Sequence, residues 1–272
     1  MPRIALGIEY DGSDFSGWQV QKDSRSVQAV VEKALSAVAN HAVRTICAGR
    51  TDAGVHACAQ VVHFDTEADR RARSWVLGCN SELPDDVSIR WAREVSPEFN
   101  ARFGASSRRY RYLLLNRPTR SALCDRRAWV VYQDISSEKM RLAAQHLVGE
   151  HDFSSLRAAG CQAASPVRTV HSLEVRQLRH WISIDVHANA FLHHMVRNIA
   201  GVLVRIGRGD EPPDWAARVL ESRDRTKAGI TAPAQGLYLY FVEYPAAFGL
   251  PDICQVSHEF DLMPGGQGEI GV

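Results

Sequence analysis

The run Cys47-Ala48-Gly49-Arg50-Thr51-Asp52-Ala53-Gly54-Val55-His56-Ala57 sets a cation, a hydroxyl and a carboxylate in three consecutive positions between two glycines. Gly49 and Gly54 permit backbone angles closed to other residues and let a substrate come close to the main chain. Arg50 can pair with Asp52 or with a phosphate, and an arginine beside an aspartate favours the charged carboxylate. The chemistry within reach is that of an ionised carboxylate in a pocket, acting as a nucleophile or as a base. The same letters also spell ordinary turn chemistry, in Asp-Ala-Gly and Gly-Arg, and the spacing alone leaves both readings open.

The string Gly49-Arg-Thr-Asp-Ala-Gly-Val-His-Ala57 resembles the signature of the tRNA pseudouridine synthase A family, which converts uridines of the tRNA anticodon stem-loop to pseudouridine at nucleotides 38, 39 and 40. The resemblance implies that Asp52 is the catalytic aspartate. It implies that Arg50 helps to flip the target nucleotide and occupies the space it leaves. It further implies homodimers that work without a cofactor or a metal.

Two other segments carry residues able to take part. In Ser107-Arg-Arg-Tyr-Arg-Tyr-Leu113 a strand would turn Tyr110 and Tyr112 one way and Arg109 and Arg111 the other. A tyrosine facing a cleft can stack on an extruded base, a contact worth about 1–3 kcal/mol, although strand tyrosines are also ordinary packing. The resemblance singles out Tyr110 as the active-site tyrosine and leaves Tyr112 as packing. In Asn189-Ala-Phe-Leu-His-His-Met-Val-Arg-Asn198 a helix begins whose stripe is Met195, Ile199, Val202 and Ile206. Arg197 lies at the edge of that stripe, where a lone arginine is usually solvated surface. By the resemblance it is instead the arginine that pairs with the catalytic aspartate. His193 and His194, as neighbours on a helix, would not share a face, which argues against a zinc site there. These two histidines, with His56 and His63, are read as structural or RNA-contacting.

Hydrophobic patterning supplies the elements that must hold these groups. A strand at 3–10, a helix at 26–40 with Val27, Val30, Val31, Ala34 and Val38 on one stripe, strands at 43–48 and 60–65, a helix at 70–79 and a strand at 87–91 give the order β-α-β-β-α-β. Residues 107–245 repeat it, with strands at 107–115, 168–176, 181–188 and 237–243, an arginine- and proline-bearing excursion through Trp129 to Tyr132, and helices at 137–148, 193–206 and 214–220. The expected fold class is α+β, with two ferredoxin-like, RRM-like halves at residues 1–105 and 106–245. Their antiparallel sheets would merge side by side with helices on one face, a platform suited to RNA. The resemblance adds a catalytic cleft between the halves. Residues 246–272, acidic and glycine-rich, are expected to form a loosely packed tail.

Composition bounds the rest. The 272 residues are 45% hydrophobic and 23% charged, as in ordinary globular chains. There is no long apolar run and no signal-like segment, so a cytoplasmic location is expected. Cys47, Cys58, Cys79, Cys124, Cys161 and Cys254 include no Cys-x-x-Cys pair and read as reduced thiols. Net charge is +1, yet residues 99–124 hold six arginines and no acid, and residues 186–209 hold three arginines and three histidines with no acid. Both stretches could form a phosphate-binding face. Two other functions compete: a non-catalytic RNA-binding protein on the same sheet, and a carboxylate-dependent hydrolase. The hydrolase needs a second acid beside Asp52, for which Asp65 or Asp185 would have to serve.

Overall fold

The computed structural model describes residues 1–251. The tail expected beyond Pro245 falls outside the described residues from 252 on, as does Cys254. Its first part is packed: a short turn at Ala246–Phe248 sets the Phe248 ring edge-on to Phe99 at 5.2 Å.

Among the described residues, the first unit comprises Met1–Ser106 together with residues 238–251. It is built from β1 (Arg3–Tyr10), α1 (Val27–Ala39), β2 (Ile46–Cys47), β3 (His56–Asp65), α2 (Ala72–Glu82) and β4 (Val87–Val95). β1 runs antiparallel to β3 on one side and to β4 on the other, and β2 adds to the far side of β3. This 4-1-3-2 arrangement is the ferredoxin-like pattern that the order of elements predicts. α1 starts where Ser26 caps it and ends where Asn40 takes a left-handed backbone at φ 58°.

Two boundaries differ from expectation for physical reasons. The strand foreseen at 43–48 forms a ladder only at Ile46 and Cys47, because the N–H of Thr45 donates to the Glu32 carboxylate at 2.8 Å instead. Glu32, a buried acid on α1, also accepts from Thr45 Oγ1, Gln28 and Arg44. Val30 and Val38, foreseen on the α1 stripe, are half-buried, while Glu32 and Leu35 are buried. β3 in turn begins at His56 rather than Gln60. Its added turn of strand pairs with β1 at Tyr10↔Ala57, and with β10 (Leu237–Glu243), which runs parallel to it at Tyr238↔His56 and Leu239↔Ala57. β10 was expected to close the second half.

The second unit, Ser107–Leu237 among the described residues, holds β5 (Ser107–Asn116), β6 (Trp129–Val131), α3 (Ser137–Gln145), β7 (Gly149–Asp152), β8 (Val167–Leu178), β9 (Trp181–Ala188), α4 (Met195–Gly207) and α5 (Trp215–Ser222). Its sheet order is β5-β9-β8-β7, antiparallel throughout, with β6 parallel to β5. β7, Gly-Glu-His-Asp, carries no apolar alternation and is a strand only because β8 pairs with it from Val170 to Val167. Ile182, Ile184 and Val186 of β9 are buried, as are Met195, Ile199, Val202 and Ile206 of α4. The fold is α+β, each unit carrying its own core.

Candidate active site

The Asp52 loop is held by main chain on both flanks. Trp18 donates its N–H to the Thr51 carbonyl at 2.9 Å, Gly54 donates to Phe15 O at 3.3 Å, and Val55 closes a tight turn onto Asp52 O at 3.1 Å. Glycine is required where the partner segments pass. A Cβ on Gly12 would stand 1.9 Å from the Val55 carbonyl, and one on Gly17, whose φ is +92°, would stand 2.7 Å from Thr51 O. His56 is buried, with Gly12 N at 3.1 Å and an Asp11 carboxylate oxygen at 3.0 Å from its Nδ1, and its ring stacks on Tyr238 at 4.6 Å. Within this frame Arg50 is exposed and Asp52 half-buried. The thiol of Cys47 at the loop's base is pushed up to about 12, first by burial, so it is no competing nucleophile.

In the second unit, Tyr110 and Tyr112 alternate with Arg109 and Arg111 as the strand reading requires, but their surroundings differ. Tyr112 is fully buried and donates its hydroxyl to Pro233 O at 2.7 Å. Burial pushes that hydroxyl well above the usual tyrosine range, against the opposing charge of Arg197. Tyr110 is half-buried, its ring edge-on to Phe191 at 4.8 Å. Arg197 and Ala232 hold each other twice: the arginine Nε–H donates to Ala232 O at 2.8 Å, and the Ala232 N–H donates to Arg197 O at 3.1 Å. Next to it, buried Asn198 takes hydrogen bonds from Arg225 at 2.9 Å and Thr231 at 2.7 Å. The segment 230–232 lies so close to α4 that a Cβ on Gly201 would meet Ile230 O at 2.1 Å. Gly201→Ala is therefore expected to cost about 1–3 kcal/mol, as overpacked sites do. The check is a lower urea midpoint at unchanged slope.

His193 and His194 sit before α4 rather than within it. His194 takes a left-handed backbone at φ 63°, and the two rings lie 4.1 Å apart, so the helical spacing argument against their meeting does not apply.

Several charges foreseen for phosphate or catalysis have partners within their own unit. Arg111 is 5% exposed and pairs with Asp185 at 2.6 Å, so it is not part of a phosphate-binding face. Arg205 pairs with Glu211 and lies over the Trp215 ring, and Arg208 pairs with Asp210. Asp65 is gripped by Arg3 at 2.7 and 2.8 Å, and that hydrogen bonding holds its carboxyl below the usual range. The two acids that a hydrolase would recruit thus have cations of their own. The cysteines Cys47, Cys58, Cys79, Cys124 and Cys161 are all free thiols. No helix among the described residues is long and apolar enough to cross a membrane.

Comparison with known proteins bears on the same residues. The family model described as tRNA pseudouridine synthase matches residues 7–104 and 143–245, well over half of the chain and both units. The chain belongs to the tRNA pseudouridine synthase family. Among the relatives, tRNA pseudouridine synthase A of Nitrosococcus oceani is 59% identical over 249 residues, 92% of this chain and 96% of its own length. The proteins of that name from Methylococcus capsulatus and Coxiella burnetii are 57% identical over 248 residues and 55% over 251. They cover 91% and 92% of this chain, and 92% and 96% of their own lengths respectively. A solved archaeal box H/ACA sRNP Nop10-Cbf5 complex aligns at a TM-score of 0.35 and 11% identity, over 74% of this chain and 43% of that one, and adds nothing to the assignment. As a tRNA pseudouridine synthase, the chain is an isomerase that acts in tRNA pseudouridylation.

Proposed function

We propose that this synthase isomerises uridine to pseudouridine at nucleotides 38, 39 and 40 of the tRNA anticodon stem-loop, with Asp52 as the catalytic carboxylate. The reaction breaks the bond from C1′ to N1, turns the uracil and joins C1′ to C5; C5 loses a proton and N1 gains one. Nothing is oxidised and no energy carrier is consumed, so the chemistry calls for no cofactor. It asks for an extruded base, an ionised carboxylate, and a closed pocket that keeps the detached uracil from escaping.

Each residue has a role suited to its type. Asp52 is the reacting group, at the base or the sugar. Arg197 pairs with it and favours its charged form. Tyr110 holds the uracil by stacking and relays the C5 proton. Arg50, the exposed cation two residues before Asp52, enters the space left by the flipped nucleotide. The enzyme works as a cytoplasmic homodimer.

The observation that carries this reading is the loop itself. Its flanks are tied by main-chain bonds to Trp18 and Phe15 while Arg50 and Asp52 remain accessible, in a chain of a family that does this chemistry. A turn with no task has no need of such bracing on both sides. The test is incubation with unmodified tRNA followed by mapping of pseudouridine. New pseudouridine at 38, 39 or 40 is the expected result. Tight tRNA binding by folded protein with none of the three modified would favour the RNA-binding alternative and overturn the proposal.

A further inference from the structure

Gln60 is a residue of β3 whose burial apolar packing does not explain. It has no exposed surface and is flanked by Ala59, Val61 and Val62, where a leucine would meet every packing demand. Its side chain instead reaches the loop two residues ahead of Thr51. The amide Nε2 donates to Gly49 O at 2.6 Å, and Gly49 returns its N–H to Oε1 at 3.4 Å. The pair fixes the orientation of the amide, since a flip would set oxygen against oxygen. The second Nε2 hydrogen points to Tyr10 Oη at 3.4 Å. Because that nitrogen only donates, the tyrosine oxygen accepts there, and its own proton is available for Thr51 Oγ1 at 2.7 Å. Tyr10 is 4% exposed and Thr51 6%.

The consequence lies in the alternation. Positions 49 and 51 are tied inward by side chains of β3 and β1, whereas Arg50 between them is exposed and Asp52 after them half-buried. We propose that Tyr10, Thr51 and Gln60 are positioning residues for the reaction: a buried hydrogen-bonded brace that fixes the direction of Asp52 and Arg50 without touching substrate. The inference rests on the reading of Asp52 as the reacting carboxylate. Its energetic logic is that a reacting group held to the right geometry avoids a search at each turnover, and displacement by about 1 Å can cost about a hundredfold in rate.

The test is a cycle of near-isosteric changes. Thr51→Val keeps the branched shape and deletes the hydroxyl, and Tyr10→Phe keeps the ring and deletes its partner. Each is expected to lower kcat by about 10- to 100-fold, with KM for tRNA within about twofold because the groups that meet RNA are untouched. The double variant should be no slower than Tyr10→Phe alone, since Thr51→Val removes only a bond that Tyr10→Phe already removes. Thr51→Ser should recover most of kcat. Melting curves establish that each variant is folded at the assay temperature, and Tyr10→Phe carries the test if Thr51→Val does not fold. Wild-type kcat in the folded variants, losses that multiply in the double variant, a KM rise at unchanged kcat, or failure of Thr51→Ser to recover activity would each overturn the proposal. Asp52→Asn in the same assay separates the two claims. Activity in that variant defeats the carboxylate reading, whereas its inactivity beside fully active Thr51→Val and Tyr10→Phe defeats only the brace.

Discussion

Asp52→Asn is expected to reduce pseudouridine formation at least about 10⁴-fold, the scale seen when the sole reacting group of a site is removed. Asparagine matches the carboxylate in shape and can accept and donate hydrogen bonds, so the turn closed by Val55 N–H onto the Asp52 carbonyl should survive. What it loses is the negative charge, and with it the basicity and nucleophilicity that a base or nucleophile must offer. The tRNA affinity should change little, because the residue contributes one neutralised group against many phosphate contacts. The measurement is release of the C5 hydrogen from uridine-labelled tRNA under single turnover, with binding followed in parallel. Continued release at near wild-type rate would show that the reacting group lies elsewhere.

A second large effect is expected on stability as the pH falls. His63 of β3 is buried and its Nδ1 accepts the Ala101 N–H at 3.1 Å, with the ring edge-on to Phe99 at 5.9 Å. Burial, helped by the Arg3 charge and opposed by Asp65, lowers its proton affinity from the ordinary 6.5 to about 4. The folded state therefore favours the neutral ring, and the unfolded chain binds the proton first as pH drops. The stabilisation is complete above about pH 6.5 and is lost as pH falls from there through about 4. At about 1.4 kcal/mol for each tenfold in proton affinity, the site is worth about 3 kcal/mol. Urea unfolding at steps between pH 7 and pH 4 checks this against His63→Asn, whose carbonyl can take the same N–H without titrating. The variant should lose less stability over that window, and parallel pH profiles would refute the assignment to His63.

The two predictions draw on different layers of information. Asp52, Arg50 and their flanking glycines stand out in the chain because charged groups packed between glycines are a local pattern. The same holds for the amphipathic helices, whose caps Ser26 and Asn40 lie where the periodicity stops. The brace of Tyr10, Thr51 and Gln60 was missed, since a lone tyrosine, threonine or glutamine in or beside an apolar strand carries no spacing signal. So was the spending of Arg111 on Asp185, because the two lie 74 residues apart and only the register Arg111↔Asp185 between β5 and β9 sets them side by side.

What the amino-acid order determined by itself is whatever depends on near neighbours: the signature loop, the order of elements and the α+β class. What only the tertiary structure decided is which polar groups are already satisfied by partners distant in the chain, as with Glu32 and Thr45, Arg197 and Ala232, or Gln60 and Gly49. The reason is physical. Propensity and periodicity act over a turn of helix or a pair of strand residues, whereas a buried donor or acceptor must find its partner wherever the folded chain happens to bring one.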